Sequence, residues 1–240
     1  MTHAIALPAI LAMLTGAQSG PTTADIVQHG LRDMTFTAKN RMGNQSELEK
    51  INKDFGESYR FASVNVWAKE PFKLRLESRV RDTDIVYVLN GTTRIYSIPR
   101  AKIHQRENLA DGPGKRQTWL DFGLLTRSLL NDLFDAKFIR LDRATQDWVF
   151  DLTYSSEYSD TSRHRIWVDR EKRYVTKREW YNQKGKQLAT FYYEDPKQVD
   201  GIWMPTKVTV KNVDNRIAGV TEYSKIRVNA GISESLFDVG

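Results

Sequence analysis

Pairs of carboxylates are the first residues in this chain that could carry out chemistry. Asp82 and Asp84 lie two positions apart, and two carboxylates facing one cleft can act as acid and base in glycoside hydrolysis. Aspartate is also a common turn residue, because its side chain hydrogen-bonds to nearby backbone, and this interpretation is favoured here. Glu157 and Asp160 lie in a polar stretch that could contact calcium, but the acidic spacing of a calcium-binding loop is missing.

Other nucleophiles and metal ligands are few. The chain has no cysteine, which excludes disulfides, thiolate zinc ligands and a cysteine nucleophile. The four histidines, His3, His29, His104 and His164, lack metal-ligand spacing, and we expect His104 and His164 to lie at the surface beside arginines. Ser128 has no Gly-x-Ser-x-Gly around it. We therefore predict no metal, no cofactor and no enzymatic activity.

Composition indicates a globular protein without a nucleic-acid partner. The 240 residues are 40% hydrophobic, and the formal net charge is +6. The basic residues are interspersed with acidic ones, whereas nucleic-acid binding requires a clustered basic stripe. Six tryptophans fall on or beside predicted strands. Packing within a sheet explains them better than an exposed sugar-binding platform does.

The first residues differ from the rest of the chain. Residues 4–14 are an apolar run of eleven, which is too short to span a bilayer because that takes about 20 residues. Small residues follow at 15–19, so residues 1–19 are predicted to be a secretory signal peptide, although no Lys or Arg precedes the apolar run. The alternative is an apolar helix packed on the domain. Residues 20–240 carry no linker or fixed-period repeat and are predicted to form a single domain.

Period-two alternation predicts a structure built mainly of strands. Apolar and polar residues alternate over 34–39, 61–67 and 72–77. Residues 84–89 meet Asn90-Gly91, the strongest two-residue hairpin signal, and residues 92–98 return as the partner strand. About ten strands joined by short turns predict an antiparallel meander.

Two segments are predicted to be helical. Residues 122–134 are expected to form the one long helix, because Leu125, Leu129 and Leu133 make an apolar stripe with Phe134 beside it. The polar residues 43–56 are expected to form a helix or a lid-like excursion between strands.

Several longer stretches carry a family resemblance. Residues 64–77 read VNVWAKEPFKLRLE, and residues 88–106 form the hairpin with a downstream proline. Residues 166–210 include WVD and GIWMP, and residues 223–229 are followed by Phe237 as a terminal aromatic. In order and spacing these stretches resemble the LolA-like superfamily, the periplasmic carriers and receptors of lipoproteins and lipids.

The resemblance implies a fold and a site. The fold would be mainly β (α+β), a curved antiparallel sheet forming an incomplete β-barrel closed by helices, with acyl chains held between sheet and helices. Each methylene that leaves water contributes about 0.8 kcal/mol. The sequence does not fix which face of each strand points inward, because a shift of one residue reverses the faces. The expected cavity residues are Phe36, Trp67, Leu74, Leu76, Val86, Val88 and Ile95 in the wall, and Leu125, Leu129, Leu133 and Phe134 in the covering helix.

The resemblance also implies a function. We expect a non-enzymatic, exported and soluble periplasmic carrier of the outer-membrane lipoprotein-sorting type, which binds the acyl chains of a lipoprotein or lipid. Its partners would be that cargo and a membrane-associated donor or acceptor protein, and the carrier would act as a monomer. One alternative is a sensor domain of the same fold that detects lipoproteins and signals to a membrane partner. Another is a secreted glycan-active enzyme, which requires two carboxylates about 5–10 Å apart in one cleft.

Overall fold

The computed structural model describes residues 20–239 and is built mainly of strands. The predicted signal peptide at 1–19 lies outside the described residues. Three short α-helices are present, α1 (Thr23–Ile26), α2 (Gln45–Glu49) and α3 (Lys53–Ser58). The strands are β1 (Asp33–Gly43), β2 (Ser63–Lys69), β3 (Lys73–Val80), β4 (Thr83–Asn90), β5 (Thr93–Ile98), β6 (Ile103–Asn108), β7 (Phe134–Leu141), β8 (Trp148–Tyr154), β9 (Arg163–Val168), β10 (Val175–Tyr181), β11 (Gln187–Glu194), β12 (Lys197–Val199), β13 (Ile202–Met204), β14 (Lys207–Asn212) and β15 (Ile217–Val228). Among these described residues, no helix has the length and apolar character needed to cross a membrane.

Thirteen strands form one antiparallel sheet that curves into an incomplete barrel. Their order is β6-β5-β4-β3-β2-β1-β15-β14-β11-β10-β9-β8-β7, and β12 and β13 form a separate hairpin. Strands that are neighbours in sequence pair with each other and form two meanders. The long ladder between β1 and β15 joins these two meanders. The edge strands β6 and β7 do not pair with each other in the part of the chain described. The predicted antiparallel, incompletely closed barrel is confirmed.

The hairpin between β4 and β5 forms where the sequence predicts it, with a shifted loop. Asn90 pairs with Thr93, so the two loop residues are Gly91 and Thr92. Gly91 has φ +62°, the left-handed conformation that glycine adopts without strain. The Asn90 side-chain amide instead donates to the backbone carbonyl of Phe237 at 3.1 Å.

The long helix predicted over 122–134 is wrong. A 3₁₀ turn covers Trp119–Phe122, a single π-helical turn covers Leu129–Leu133, and Phe134 already begins β7. Gly123 has φ +77°, and a Cβ there would lie 2.7 Å from the Tyr193 ring, so the chain turns at this point. The leucines of this segment are spaced as in a helix, but no continuous helix forms. All of them are buried in the core: Leu124, Leu125, Leu129, Leu130 and Leu133.

The outer face of β3–β5 is covered by the end of the chain. We call residues 230–239 the C-terminal strap. Ile232 and the fully buried Phe237 pack with Val88 of β4. The Arg75 guanidinium donates to the carbonyl of Leu236 at 3.0 Å. Because of this cover, β4 is apolar on both faces.

The segment between β1 and β2 lies over the concave face. We call residues 44–61 the lid; it contains α2 and α3, as the predicted lid-like excursion implies. Phe55 meets Phe191 edge-on, with ring centroids 5.8 Å apart. Tyr59 lies on Gly43 and Gly219, which are paired across β1 and β15. The absence of side chains at this glycine pair leaves room for the tyrosine ring.

Candidate functional site: a cavity on the concave face

A cavity of about 1600 Å³ lies between the concave face of the sheet, the lid and the segment that crosses from β6 to β7. This is larger than the roughly 300–1,000 Å³ usual for small-ligand pockets. Its apolar wall is formed by Ala38, Val64, Val66, Leu76, Ile85, Phe191, Val208 and Val210, and the lid adds Phe55, Tyr59 and Phe61.

The structure brings only some of the predicted site residues to this cavity. Leu76 and Phe134 line it. Leu74 and Phe122 line a separate small crevice. Phe36 packs against Phe122, with the two ring centroids 5.1 Å apart.

The other predicted residues are placed elsewhere. Leu125, Leu129 and Leu133 are buried in the core but do not line the cavity. On the outer face lie Trp67, Val86, Val88 and Ile95. These residues are apolar because the C-terminal strap covers this face of the sheet. The alternation pattern alone did not reveal that cover.

One end of the cavity contains an ion pair that sequence reasoning missed. Arg178 of β10 is only 5% exposed, and its guanidinium lies 4.0 Å from the centroid of the Phe191 ring. It donates from Nη1 to Oδ1 of Asp121 at 3.0 Å. The other oxygen of Asp121 accepts from the backbone N–H of Thr118 at 2.8 Å. The sequence offered only an arginine within a predicted strand, and it does not fix which face of that strand points inward.

His164 is buried beside Arg178, so the predicted surface position is wrong. It is 6% exposed, lines the cavity and meets Phe134 edge-on, with ring centroids 5.8 Å apart. The aromatic residues packed around it, rather than its arginine neighbours in sequence, set its environment. Burial, and secondarily the charge of Arg178, lowers the pKa of His164 well below its usual value.

Acid is expected to destabilise the protein through His164. Below a pH of about 6.5 the unfolded chain binds a proton here that the folded chain excludes, so stability falls as pH decreases. The slope from this group approaches about 1.4 kcal/mol per pH unit. Urea unfolding at a series of pH values should show that His164→Leu lacks this slope. His104→Leu, at an exposed site on β6, should keep it. Parallel pH profiles for wild type and His164→Leu would contradict the assignment.

The carboxylates that line the cavity are paired with basic side chains. Glu57 pairs with Arg60 at 2.9 Å and Asp82 with Arg100 at 3.8 Å. Glu107 accepts from Arg94, and Asp121 accepts from Arg178. Asp84, the suggested partner of Asp82 in acid/base chemistry, does not line the cavity and lies 3.7 Å from Arg79. Asp82 lies in the turn between β3 and β4, as the turn interpretation expects, whereas Asp84 lies within β4.

Comparisons with known proteins bear mainly on the fold. A family model described as an uncharacterized protein matches residues 125–240. No curated protein sequence matches the chain. A LolA superfamily protein from Nitrosomonas europaea superimposes with a TM-score of 0.60 at 14% identity, over 90% of this chain and 94% of the other.

Two further crystal structures are similar. One is a domain described as an outer membrane lipoprotein-sorting protein, from Vibrio parahaemolyticus, with a TM-score of 0.61 at 13% identity over 90% of this chain and 93% of the other. The second is a DUF1329 family protein from Desulfovibrio piger, with a TM-score of 0.59 at 13% identity and the same coverage. At these identities the likeness concerns the fold, and this fold is LolA-like.

Proposed function

We propose, from the LolA-like fold of this chain, that it is a non-enzymatic carrier that holds acyl chains of a lipid or lipoprotein in the concave cavity. The observation that carries the proposal is the cavity itself, about 1600 Å³ with an apolar wall and an aromatic lid. The wall comes from alternate residues of neighbouring strands, so it is continuous across the sheet.

The energetics suit reversible binding. A chain of sixteen carbons transferred from water would contribute about 12 kcal/mol at about 0.8 kcal/mol per methylene. Association costs about 4–15 kcal/mol in lost freedom of motion. The difference is at most about 8 kcal/mol, which corresponds to a micromolar dissociation constant. Binding no tighter than this lets a carrier release its cargo.

The proposal includes the cell compartment and the extent of the binding unit. Residues 1–19 would act as an export signal, and residues 20–240 would act as one monomeric binding domain in the periplasm. A membrane-associated protein would deliver or accept the cargo. The similarity to a domain described as lipoprotein-sorting supports this direction.

Placing a charge on the cavity wall is expected to weaken acyl binding. Leu76 is half-buried and lines the cavity, so Leu76→Lys would force an ammonium group against the bound chain. We expect affinity for a dansyl-labelled undecanoate methyl ester to fall about tenfold or more, because one apolar contact of about 1.5–3 kcal/mol is lost. Fluorescence titration measures this change.

A matched control tests whether the effect belongs to the cavity. Leu141 lies on β7, is 40% exposed and does not line the cavity, so Leu141→Lys should bind the probe as wild type does. Mass spectrometry of organic extracts should detect lipid that co-purifies with the wild type. Failure of the wild type to bind both this ester and the corresponding free acid would refute the carrier function.

A further inference from the structure

One end of the cavity is polar, and the lining as a whole carries an excess of positive charge. Seven arginine or lysine side chains line the cavity against four carboxylates. Arg178 and His164 lie here on adjacent strands, where Trp180 of β10 is the cross-strand partner of His164. The apolar wall and this end together make an amphipathic lining.

Arg178 has more hydrogen-bond donors than the surrounding protein can satisfy. A guanidinium carries five N–H donors in a planar fork. Within residues 20–239, the one acceptor found for it is Asp121, and its buried Nε has no partner. A buried donor without an acceptor is unfavourable, and arginine is rarely buried unless it is well paired. The fork is therefore incompletely satisfied, and Arg178 is among the side chains that line the cavity.

His164, which lies beside Arg178, also carries an unpaired polar atom. Its buried Nδ1 has no hydrogen-bond partner among the described residues. Asp121 accepts from Arg178 and from the backbone of Thr118, and no hydrogen bond joins it to His164 among the described residues. Two adjacent polar side chains that line the cavity, each more than nine-tenths buried, therefore have unfilled hydrogen-bonding capacity.

We infer that this end of the cavity binds the oxyanion head of an amphiphilic ligand, a carboxylate or a phosphate, with Arg178 as the main donor. The inference rests on the proposed acyl-binding function and specifies the chemical class of the cargo. A guanidinium fork matches the oxygens of either anion, and such charge-assisted bonds are stronger than neutral ones. A cationic head is disfavoured because the nearest carboxylate, Asp121, is already paired.

The test compares ligands that differ only in the head. Wild-type protein should bind dansyl-labelled undecanoic acid at least about tenfold more tightly than its methyl ester, as expected for one hydrogen-bonded ion pair. Lysophosphatidic acid and monoacylglycerol of equal chain length form a second pair, measured by displacement of the ester probe. The pair with the larger preference tells whether a phosphate or a carboxylate is bound, and a preference in either supports the inference.

Variants test the assignment to Arg178. The double variant R178Q/D121N removes both charges, so no unpaired buried charge is left, and it should bind acid and ester equally while keeping its affinity for the ester. Arg178→Lys, which keeps the charge but loses the fork, should show an intermediate preference if the double variant does not fold. Arg116→Gln is the control, because Arg116 already donates to the carbonyls of Leu109 and Ala110 at 3.1 and 2.9 Å. It should keep the preference.

The outcomes separate this inference from the carrier function. Equal binding within both ligand pairs by the wild type would overturn the oxyanion site while leaving the carrier intact. A preference that persists in R178Q/D121N, or disappears in Arg116→Gln alone, would overturn the assignment to Arg178. Binding of neither acid nor ester would refute the carrier function itself.

Discussion

Replacing Phe237 by alanine is expected to lower the free energy of unfolding by about 3–5 kcal/mol. Phe237 is fully buried, although it lies three residues from the end of the chain. Its ring packs with Val88 and Ile232 on the outer face of the sheet. Loss of the phenyl ring would leave a cavity beneath the C-terminal strap. It would also loosen the strap, because few other apolar side chains hold it on the sheet.

Thermal and urea unfolding measure this loss, which corresponds to about 2–4 °C in Tm per kcal/mol for a chain of this size. Leu236→Ala should cost less, because Leu236 is only half-buried. Binding of the ester probe below the transition should stay at the wild-type level, since the strap covers the face opposite the cavity. Wild-type stability in Phe237→Ala would show that the strap is not packed on the sheet.

Replacing Gly219 by valine is expected to expel Tyr59 and detach the lid. A Cβ at this position would lie 2.3 Å from the tyrosine ring, a distance that real contacts never reach. Overpacking of this kind costs about 1–3 kcal/mol. Hydrogen exchange should therefore quicken across residues 44–61, and the acyl probe should dissociate faster than from the wild type.

A double-mutant cycle distinguishes the clash from a general effect on β15. In a Tyr59→Ala background the ring is absent, so Gly219→Val should cost little more. The coupling energy between the two changes should reach about 1–3 kcal/mol. Strictly additive effects would mean that Tyr59 does not rest on the glycine pair in solution.

The sequence predicts much of the sheet because its signals are local. Alternation over residues 72–77 puts Leu74 and Leu76 on the same face of β3, which in the structure is the concave face, and Gly91 locates the hairpin. The lid is predicted because a polar, helix-prone stretch interrupts two strand patterns. Each of these signals acts within a few residues, so tertiary contacts do not override it.

The errors arise where distant parts of the chain meet. The leucines of residues 122–134 are spaced as in a helix, yet Gly123 packs against Tyr193, which lies seventy positions along the chain. Val86 and Val88 face outward because the strap, more than a hundred residues later, covers them. Arg178 and His164 are ordinary strand residues in sequence, and only the register of β9 and β10 brings them together at the cavity.

Among the described residues the edge strands β6 and β7 are unpaired, and this has a consequence for the range of cargo of the proposed carrier. In a closed barrel the ladder hydrogen bonds fix the circumference, so the bore cannot widen without breaking them. Here the distance between β6 and β7 can change while every strand pair in the sheet stays intact. For the proposed carrier function, this means that one scaffold would accommodate cargo of different width, widening for a branched chain and narrowing around an unbranched one.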